Sequence, residues 1–354
     1  MSPRNRTVAL LLAVLGTSVA SGALHYLDAD PVAVFLVAGA ALAGLAWVIA
    51  VATETVGDRF GPAATGVIQS TLGNLPELFV VLFALAAGEV VVAKTSIVGS
   101  LLANALLVLG LAIAAGARAS PDGVMTFRRR LPNDTATLLL LAVFVIAVLG
   151  VSDRIGDRAS RHQVAISVVG ASCLLLVYAG WLWSYLQAKD EEPAIEQPSA
   201  RRHVSFRAAI GLLAAGGVAA ALVSDWFVDA LDPAVRAIGI SKAFTGLVIV
   251  GIAGNAVENV VGIALAAKRQ SDLAISVVKN SVAQIAVFLF PALVLLSLFF
   301  ETRLTFVLGP IYVIALVLMA VAVWQITGDG KAVLFEGLAL VTLYTVVATL
   351  AWYE

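Results

Sequence analysis

Eleven apolar stretches of about 20 residues follow one another along this chain, and no other feature constrains its fold as strongly. They lie at roughly 7–26, 32–53, 63–87, 95–116, 135–151, 164–187, 207–230, 243–267, 273–299, 304–326 and 333–352. A helix of about 20 apolar residues is long enough to cross the hydrocarbon core of a bilayer. Hydrophobic residues make up 61% of the chain and charged residues 13%, whereas soluble domains contain about 45–50% and about 25%. We therefore predict an all-α integral membrane protein with about 11 transmembrane helices, embedded in the lipid bilayer.

The remaining composition excludes several classes of partner and site. The formal net charge is −1 and no basic stripe stands out, so we expect no nucleic acid partner. Cys173 is the only cysteine, which excludes an internal disulfide framework and a cysteine-rich metal site. The three histidines, His25, His162 and His203, lie far apart along the chain.

The distribution of basic residues between the loops predicts the orientation in the membrane. With the N-terminus in the cytoplasm, 14 of the 22 lysines and arginines fall on the cytoplasmic side and seven on the other, Lys279 being the remaining one. An excess of basic residues marks cytoplasmic loops. We therefore expect a multi-pass protein of the cell membrane with a cytoplasmic N-terminus and its C-terminus on the opposite side.

Residues 1–30 form a leading transmembrane helix in this interpretation. Arg4 and Arg6 precede an apolar run that ends in small residues near Ala20–Ala23, a pattern also typical of a cleaved signal peptide. Whether the first helix is retained stays open. In either case the second span begins outside, so the remaining topology is the same.

The longest polar stretch, residues 188–206, divides the rest of the chain into two halves. It carries acidic and basic residues and two prolines, which is typical of a solvated cytoplasmic linker. Residues 31–187 contain five predicted spans and residues 207–354 contain another five. Because five is an odd number, two consecutive units must enter the membrane from opposite sides, as in the inverted repeats of secondary transporters.

Both halves carry the same polar motif, a Gly-Asn pair whose asparagine is followed three residues later by a glutamate. The motif is Gly73, Asn74 and Glu77 in the first half and Gly254, Asn255 and Glu258 in the second. A serine follows each glutamate after 23 residues, at Ser100 and Ser281. The equal spacing indicates that the halves are structural repeats. Each serine either faces the same site as the glutamate or bonds back to its own helix.

Each motif glutamate lies near the middle of its predicted span. A carboxylate at that depth costs at least about 2.5–3.5 kcal/mol on insertion scales and usually lines a functional cavity. The alternative is a pair of structural glutamates hydrogen-bonded between helices. Asn and Glu at i and i+3 share a helix face, so each repeat presents an amide oxygen beside a carboxylate. Gly73, Pro76 and Gly254 are expected to break these helices and free backbone carbonyls toward the site.

Carboxylate, amide and carbonyl oxygens suit a hard divalent cation, since Ca²⁺ takes six to eight oxygen ligands. Two desolvated carboxylates close together cannot both stay ionised without a counter-cation. Either one divalent cation or two protons neutralises them. A site that must be neutral to move would exchange one for the other, which is our hypothesis for Glu77 and Glu258.

Three segments resemble the cation/proton exchanger (CAX) family of the Ca²⁺/cation antiporter superfamily. Residues 52–78, ATETVGDRFGPAATGVIQSTLGNLPEL, look like its T-E-x-L…GP…GG…ATFGNATEL run. Residues 227–259, FVDALDPAVRAIGISKAFTGLVIVGIAGNAVEN, are similar to FVEAL…GISETFIGLVILPIVGNAAEH. Residues 328–344, GDGKAVLFEGLALVTLY, look like DGKSNWLEGxxLLxxY. The resemblance covers roughly residues 30–350.

This resemblance implies a Ca²⁺/H⁺ antiporter working by alternating access, with one leading helix and two inverted five-helix repeats. It implies no enzymatic activity and no cofactor, Ca²⁺ and protons being the transported ions. By position, it implies the ion- and proton-binding residues Glu77, Glu258, Asn74 and Asn255, with the two glutamates as the metal ligands. It further implies supporting polar residues at Ser100, Asn104, Ser281 and Gln284.

The chain departs from the family at a few positions near the motifs. Asn259 stands where the family has a histidine, and Pro76 resembles the Pro-Glu pairs of other antiporter branches. Asn280-Ser281 stands where a Gly-Ser is common, and Lys279 precedes it. We expect the Lys279 side chain to extend toward the membrane interface, because a cation facing the site would weaken divalent binding.

Several other functions remain as alternatives at this stage. Na⁺- or Mn²⁺-linked exchange would use the same site, although Na⁺ coupling normally needs more hydroxyl and carboxylate ligands than the repeats supply. An intramembrane hydrolase is disfavoured because no HExxH motif occurs. A channel is disfavoured because inverted repeats with broken helices favour a carrier. The sequence does not determine the oligomeric state.

Overall fold

The computed structural model describes residues 3–57, 72–187 and 205–354, without the side chains of residues 3–6, 54, 57, 130–132, 185–187 and 257–258. Most of the predicted linker and the N-terminal part of the predicted span 63–87 lie outside these residues. Nine described helices are long and apolar enough to cross a membrane, and a tenth span results if one bent pair is counted. A shorter apolar helix, Leu75–Ala86, follows the gap at residues 58–71. The all-α membrane architecture is therefore as predicted, and about 11 spans are compatible with it.

The helices of the first half are labelled α1 to α6. Their bounds are α1 Pro3–Tyr26, α2 Pro31–Gly57, α3 Leu75–Ala86, α4 Val90–Ala119, α5 Arg130–Ile155 and α6 Gln163–Gln187. The α4 helix contains a π-helical stretch at Ala103–Val108. The α5 helix is longer than the predicted span 135–151, because polar residues at both ends continue the helical hydrogen bonding.

The helices of the second half are labelled α7 to α12. Their bounds are α7 Phe206–Ile238, α8 Lys242–Gly254, α9 Ala256–Ala267, α10 Ser271–Phe299, α11 Pro310–Thr327 and α12 Leu334–Trp352. The α10 helix has a π-helical stretch at Ile285–Leu289, close to the position equivalent to that in α4. The α11 helix begins six residues later than the predicted span, where Pro310 occupies its first turn.

Polar side chains and glycines mark several helix ends, as expected from local capping rules. The carboxylate of Asp30 accepts hydrogen bonds from the backbone N–H groups of Val32 and Ala33 at the start of α2, over 3.0 and 3.1 Å. The hydroxyl of Ser241 accepts from the N–H of Phe244 at the start of α8. Gly239 ends α7 in the left-handed conformation, with φ of 77°, which a residue without a side chain adopts most easily.

Contacts between helix ends show that α4 and α10 run in opposite directions. Near the start of α4, the ammonium of Lys94 donates to the carbonyl of Val307, which follows α10. At the other face, the N–H of Arg128, which follows α4, donates to the carboxylate of Asp272 at the start of α10. This pair of equivalent helices is therefore inverted, as the odd number of spans predicts.

Pairs of equivalent helices meet in the middle of the molecule. The first helices of the two halves, α2 and α7, pack against each other, and so do α5 and α11. The contact of α12 with α4 has its counterpart in the contact of α6 with α10. Among the long helices that the structure describes, α4 is the most buried, with 89% of its apolar stretch inside the protein, whereas α1 is peripheral, with 11%.

A short two-stranded antiparallel ribbon, which the sequence did not predict, joins the halves on one face. Its strands are β1 Val124–Thr126 and β2 Lys331–Val333. On the same face, Arg269 donates to the carbonyl of Ala119. All these segments are predicted to be cytoplasmic. They lie together because α4 of the first half and α9 and α11 of the second half all end on this face.

Candidate ion-binding site

Each Gly-Asn pair lies where a membrane helix breaks. In the second half α8 ends at Gly254, Asn255 has φ −110° and ψ 19°, and α9 begins at Ala256. The helices on either side of this break are bent by 58°. In the first half Asn74 has φ −90° and ψ 12° and precedes α3, whose first turn contains the buried Pro76. Both asparagines therefore stand at the start of a new helix.

The first motif glutamate is completely buried at the start of its helix. Glu77 lies in the first turn of α3 with 0% exposure, and Asn74 is 5% exposed. The positive end of the α3 dipole stabilises a carboxylate at this position. Glu258 takes the equivalent place in the first turn of α9, but its side chain lies outside the described residues.

The two motifs lie against each other. A β-carbon on Gly254 would lie 3.6 Å from the Cβ of Glu77, which is van der Waals contact. The glycine of the second motif therefore lies directly against the carboxylate side chain of the first. This contact joins residues that are far apart in sequence into one site.

The α4 helix approaches α8 closely enough for backbone contact. A β-carbon on Gly99 would lie 2.2 Å from the carbonyl oxygen of Leu247, and one on Gly251 would lie 2.6 Å from the carbonyl carbon of Gly99. Side chains do not fit at these separations. The two glycines therefore bring Ser100, the next residue of α4, against the helix that leads to the second motif.

Ser100 and Ser281 do not bond back to their own helices. Both side chains are buried, and neither hydroxyl has a hydrogen-bond partner among the described residues. By contrast, the hydroxyls of Thr95 and Ser96, one turn earlier in α4, donate to the carbonyls of Val91 and Val92 over 2.7 Å. Buried hydroxyls are normally paired, so the two motif serines have a hydrogen-bonding capacity that their helices do not use.

Two buried asparagines repeat the same arrangement. The amide nitrogen of Asn104 donates to the carbonyl of Ser100 over 3.1 Å, and that of Asn255 donates to the carbonyl of Gly251 over 3.0 Å. In both, the amide oxygen is buried and accepts no hydrogen bond from the described residues. Each side chain thus uses its donor locally and leaves an oxygen for another partner.

The remaining supporting residues lie on helices that contact these elements. The α10 helix packs against the π-helical stretch of α4, which contains Asn104. Ser281 and Gln284, 5% and 9% exposed, share one face of α10 because they are three residues apart. The structure therefore brings together α3, α4, α8 and α10, which carry the described candidate residues or directly adjoin them. Among the residues described, no group of three or more histidine, cysteine, aspartate or glutamate side chains forms a metal cluster.

Lys279 reaches toward the last turn of α11, on the face predicted to be cytoplasmic, but its side chain stays inside the protein instead of reaching the membrane interface. Its side chain is only 3% exposed, and its ammonium donates to the hydroxyl of Thr327 over 2.7 Å. That hydroxyl in turn donates to the carbonyl of Val323. Because the last turn of α11 supplies an acceptor inside the protein, the lysine does not need to reach the lipid headgroups for a polar partner.

Sequence reasoning assigned no role to three further residues on or beside these elements. Gly99 was not recognised because its partner Leu247 lies in the other repeat. Asn280, noted only as a departure from the family pattern, has a buried amide oxygen without a partner in the described part of the chain. Asn259 donates from its amide nitrogen to the carbonyl of Ile252 across the helix break, over 3.2 Å. A polar residue directly after a motif glutamate was the available signal for Asn259.

The family model described as "Sodium/calcium exchanger protein" matches residues 31–186 and 208–353 of the chain. The chain is 29% identical to the Ca(2+)/H(+) antiporter of Synechocystis sp., covering 98% of this chain and 97% of that protein. It is 30% identical to the vacuolar calcium ion transporter of Schizosaccharomyces pombe, covering 90% of this chain and 79% of that protein. Its fold is similar to the solved structure of native YfkE, with a TM-score of 0.81, 26% identity and coverage of 98% and 99%.

Proposed function

This chain belongs to the sodium/calcium exchanger protein family, and on that premise we propose that it exchanges cytoplasmic Ca²⁺ for protons by alternating access. The observation that carries the proposal is the buried Glu77 side chain against Gly254, where the broken helices of the two repeats meet. Relatives that align over nearly their whole length are named as Ca²⁺/H⁺ antiporters, which supports the same exchange here. In this function Ca²⁺ and protons are substrates, and no cofactor is required.

The ion-binding roles follow from the chemistry of the side chains. Glu77 and Glu258 supply the negative charge and bind either Ca²⁺ or protons. The oxygens of Asn74 and Asn255 complete the coordination from the two helix breaks, and Ser100, Asn104, Ser281 and Gln284 support it from α4 and α10. A mixed set of carboxylate, amide and hydroxyl oxygens is typical of Ca²⁺ sites.

Charge balance couples the two ions. One Ca²⁺ or two protons neutralises the carboxylate pair, whereas an empty, ionised pair is costly to bury. The site therefore reorients when it is loaded with one or the other. Protons entering from the outside drive Ca²⁺ out of the cytoplasm when the N-terminus is cytoplasmic and the protein lies in the cell membrane.

Exchange linked to Na⁺ or Mn²⁺ at the same site is the alternative. The relatives named as Ca²⁺/H⁺ antiporters favour protons over Na⁺ as the coupling ion. The small number of hydroxyl ligands in the repeats favours the same choice. Mn²⁺ accepts a similar oxygen set, so its transport must be distinguished by competition.

The proposal is tested by ⁴⁵Ca²⁺ uptake into everted membrane vesicles under an imposed pH gradient. We expect uptake by the wild-type protein, its collapse when a protonophore removes the gradient, and its loss in Glu77→Gln and Glu258→Gln. Glutamine keeps the size of the side chain but removes the exchangeable charge. Ser96→Ala serves as a control, since the Ser96 hydroxyl donates to the carbonyl of Val92 in its own helix.

Lack of uptake by the wild-type protein, or unchanged uptake by either glutamine variant, contradicts the proposal. Uptake driven by a Na⁺ gradient instead of a pH gradient identifies the Na⁺-linked alternative. Inhibition of ⁴⁵Ca²⁺ uptake by equimolar Mn²⁺, together with proton-driven Mn²⁺ uptake, identifies a Mn²⁺ exchanger.

A further inference from the structure

Asn259 makes a hydrogen bond that is possible only because the second motif helix is bent. Its amide nitrogen lies 3.2 Å from the carbonyl oxygen of Ile252, seven residues earlier. In a straight helix, seven residues span about 10.5 Å along the axis, which is beyond the reach of an asparagine side chain. The bond therefore stabilises the bent form of this helix and offers nothing to a straight one.

The carbonyls freed by this break are satisfied by two asparagine side chains in succession. The backbone N–H of Asn255 donates to the carbonyl of Ala253 and not to that of Gly251, as it would in a continuous helix. The side-chain amide nitrogen of Asn255 donates to the carbonyl of Gly251 instead. The next carbonyl, that of Ile252, is occupied by Asn259. Within a membrane, backbone carbonyls need such partners because no bulk water replaces them.

The first repeat breaks its helix by another means. The position equivalent to Asn259 is Leu78, whose side chain has no hydrogen-bond donor. Two residues before Leu78 stands Pro76, which lacks an N–H and crowds the carbonyl one turn earlier. The equivalent of Pro76 in the second repeat is Val257, which breaks no helix by itself.

We propose that Asn259 is a positioning residue that holds the second motif helix bent, in the role that Pro76 has in the first. Asn259 follows Glu258 directly, and its N–H closes the first turn of α9 on the carbonyl of Asn255 over 3.0 Å. The side-chain bond to Ile252 therefore fixes the turn that carries the second motif glutamate relative to α8. Asn259 acts on Ca²⁺ binding through this geometry. The inference rests on the proposed Ca²⁺/H⁺ exchange.

The test compares Asn259→Leu, which installs the residue of the first repeat, with the double variant Val257→Pro/Asn259→Leu, which installs its proline as well. Proton-driven ⁴⁵Ca²⁺ uptake is measured against Ca²⁺ concentration. We expect Asn259→Leu to raise the half-saturating Ca²⁺ concentration about 10- to 100-fold, the usual effect of losing a residue that orients ligands. We expect the half-saturating Ca²⁺ concentration of the double variant to return to the wild-type range. Val257→Pro alone is expected to keep the wild-type value.

A second measurement does not depend on transport. Hydrogen–deuterium exchange of the purified protein is followed in peptides that cover residues 250–262. Loss of the hydrogen bond to Ile252 in Asn259→Leu is expected to raise hydrogen–deuterium exchange in these peptides, and the proline of the double variant is expected to lower it again. This readout also reports on a variant whose transport is too low to measure.

A wild-type Ca²⁺ dependence in Asn259→Leu overturns the inference, as does failure of the double variant to recover. Inactivity of Val257→Pro alone also overturns the inference, because the second motif helix would then not tolerate a proline at the position equivalent to Pro76. These outcomes leave the proposed function intact as long as the wild-type protein exchanges Ca²⁺ for protons. Absence of Ca²⁺/H⁺ exchange by the wild-type protein refutes the proposed function itself, whatever the hydrogen–deuterium exchange of residues 250–262 shows.

Discussion

Two serines in one helix differ in what their hydroxyls do, and this difference predicts a difference in function. Ser96 donates to the carbonyl of Val92, whereas the buried hydroxyl of Ser100 has no partner among the described residues. We expect Ser100→Ala to raise the half-saturating Ca²⁺ concentration about tenfold, as for a residue that supports metal ligands. Ser96→Ala removes the same hydroxyl oxygen from the same helix and is expected to leave the half-saturating Ca²⁺ concentration unchanged. Equal effects in ⁴⁵Ca²⁺ uptake would refute the distinction.

The buried pair of Lys279 and Thr327 predicts an effect on stability. Thr327→Val leaves the ammonium without its hydroxyl acceptor and is expected to lower the free energy of unfolding by about 1–3 kcal/mol. Lys279→Met/Thr327→Val replaces both partners by apolar groups of similar size, and we expect it to be more stable than Thr327→Val alone. Thermal unfolding in detergent measures the order of the three proteins. A double variant that is the least stable would show that the lysine is held mainly by other contacts.

At the scale of elements, the contact between α4 and α8 depends on a glycine. A β-carbon on Gly99 would lie 2.2 Å from the carbonyl oxygen of Leu247, so even Gly99→Ala must push the helices apart. We expect this variant to lose about 1–3 kcal/mol of stability through overpacking and to transport Ca²⁺ poorly. Gly180→Ala in α6 is the matched control, since no atom lies within 4 Å of its β-carbon. Wild-type melting and uptake in Gly99→Ala would contradict this packing.

One irregular element explains a difference between the repeats. The interval from Thr245 to Gly254 is one residue longer than the equivalent interval from Thr65 to Gly73. The π-helical stretch Thr245–Val250 lies within this interval. Because a π-bulge accommodates one additional residue in a helix, the second motif keeps its position at the break despite the insertion.

At the scale of the whole molecule, the inverted arrangement predicts which loops face each side of the membrane. In a variant without its exposed native cysteine (Cys173→Ala), we expect Asp122→Cys to react with an impermeant maleimide only in everted vesicles. Glu301→Cys is expected to react only in intact cells. Both positions are exposed, and they follow α4 and α10, which run in opposite directions. The reverse labelling pattern would show that the protein has the opposite orientation in the membrane. Labelling of both positions from the same side would refute the inverted arrangement of the two halves.

The sequence by itself determined the spans, the two halves and the duplicated motif. Hydrophobic length, spacing and helix breakers are local properties, so the membrane fold and the family resemblance were predicted, and the structure and the comparisons confirmed them. The burial of Glu77 within its span followed from the same reasoning.

Only the tertiary structure decided how distant residues meet. It placed Gly254 against Glu77 and Gly99 against Leu247, gave Lys279 a partner in α11, and joined Asn259 to Ile252 across a break. The ribbon of β1 and β2 arose in the same way, from loops that lie in different halves. None of these contacts follows from a periodic pattern, because each depends on how closely two backbones approach or how sharply one bends. The sequence therefore determined which residues stand deep in the membrane, and the packing of the two repeats decided which of them form one site.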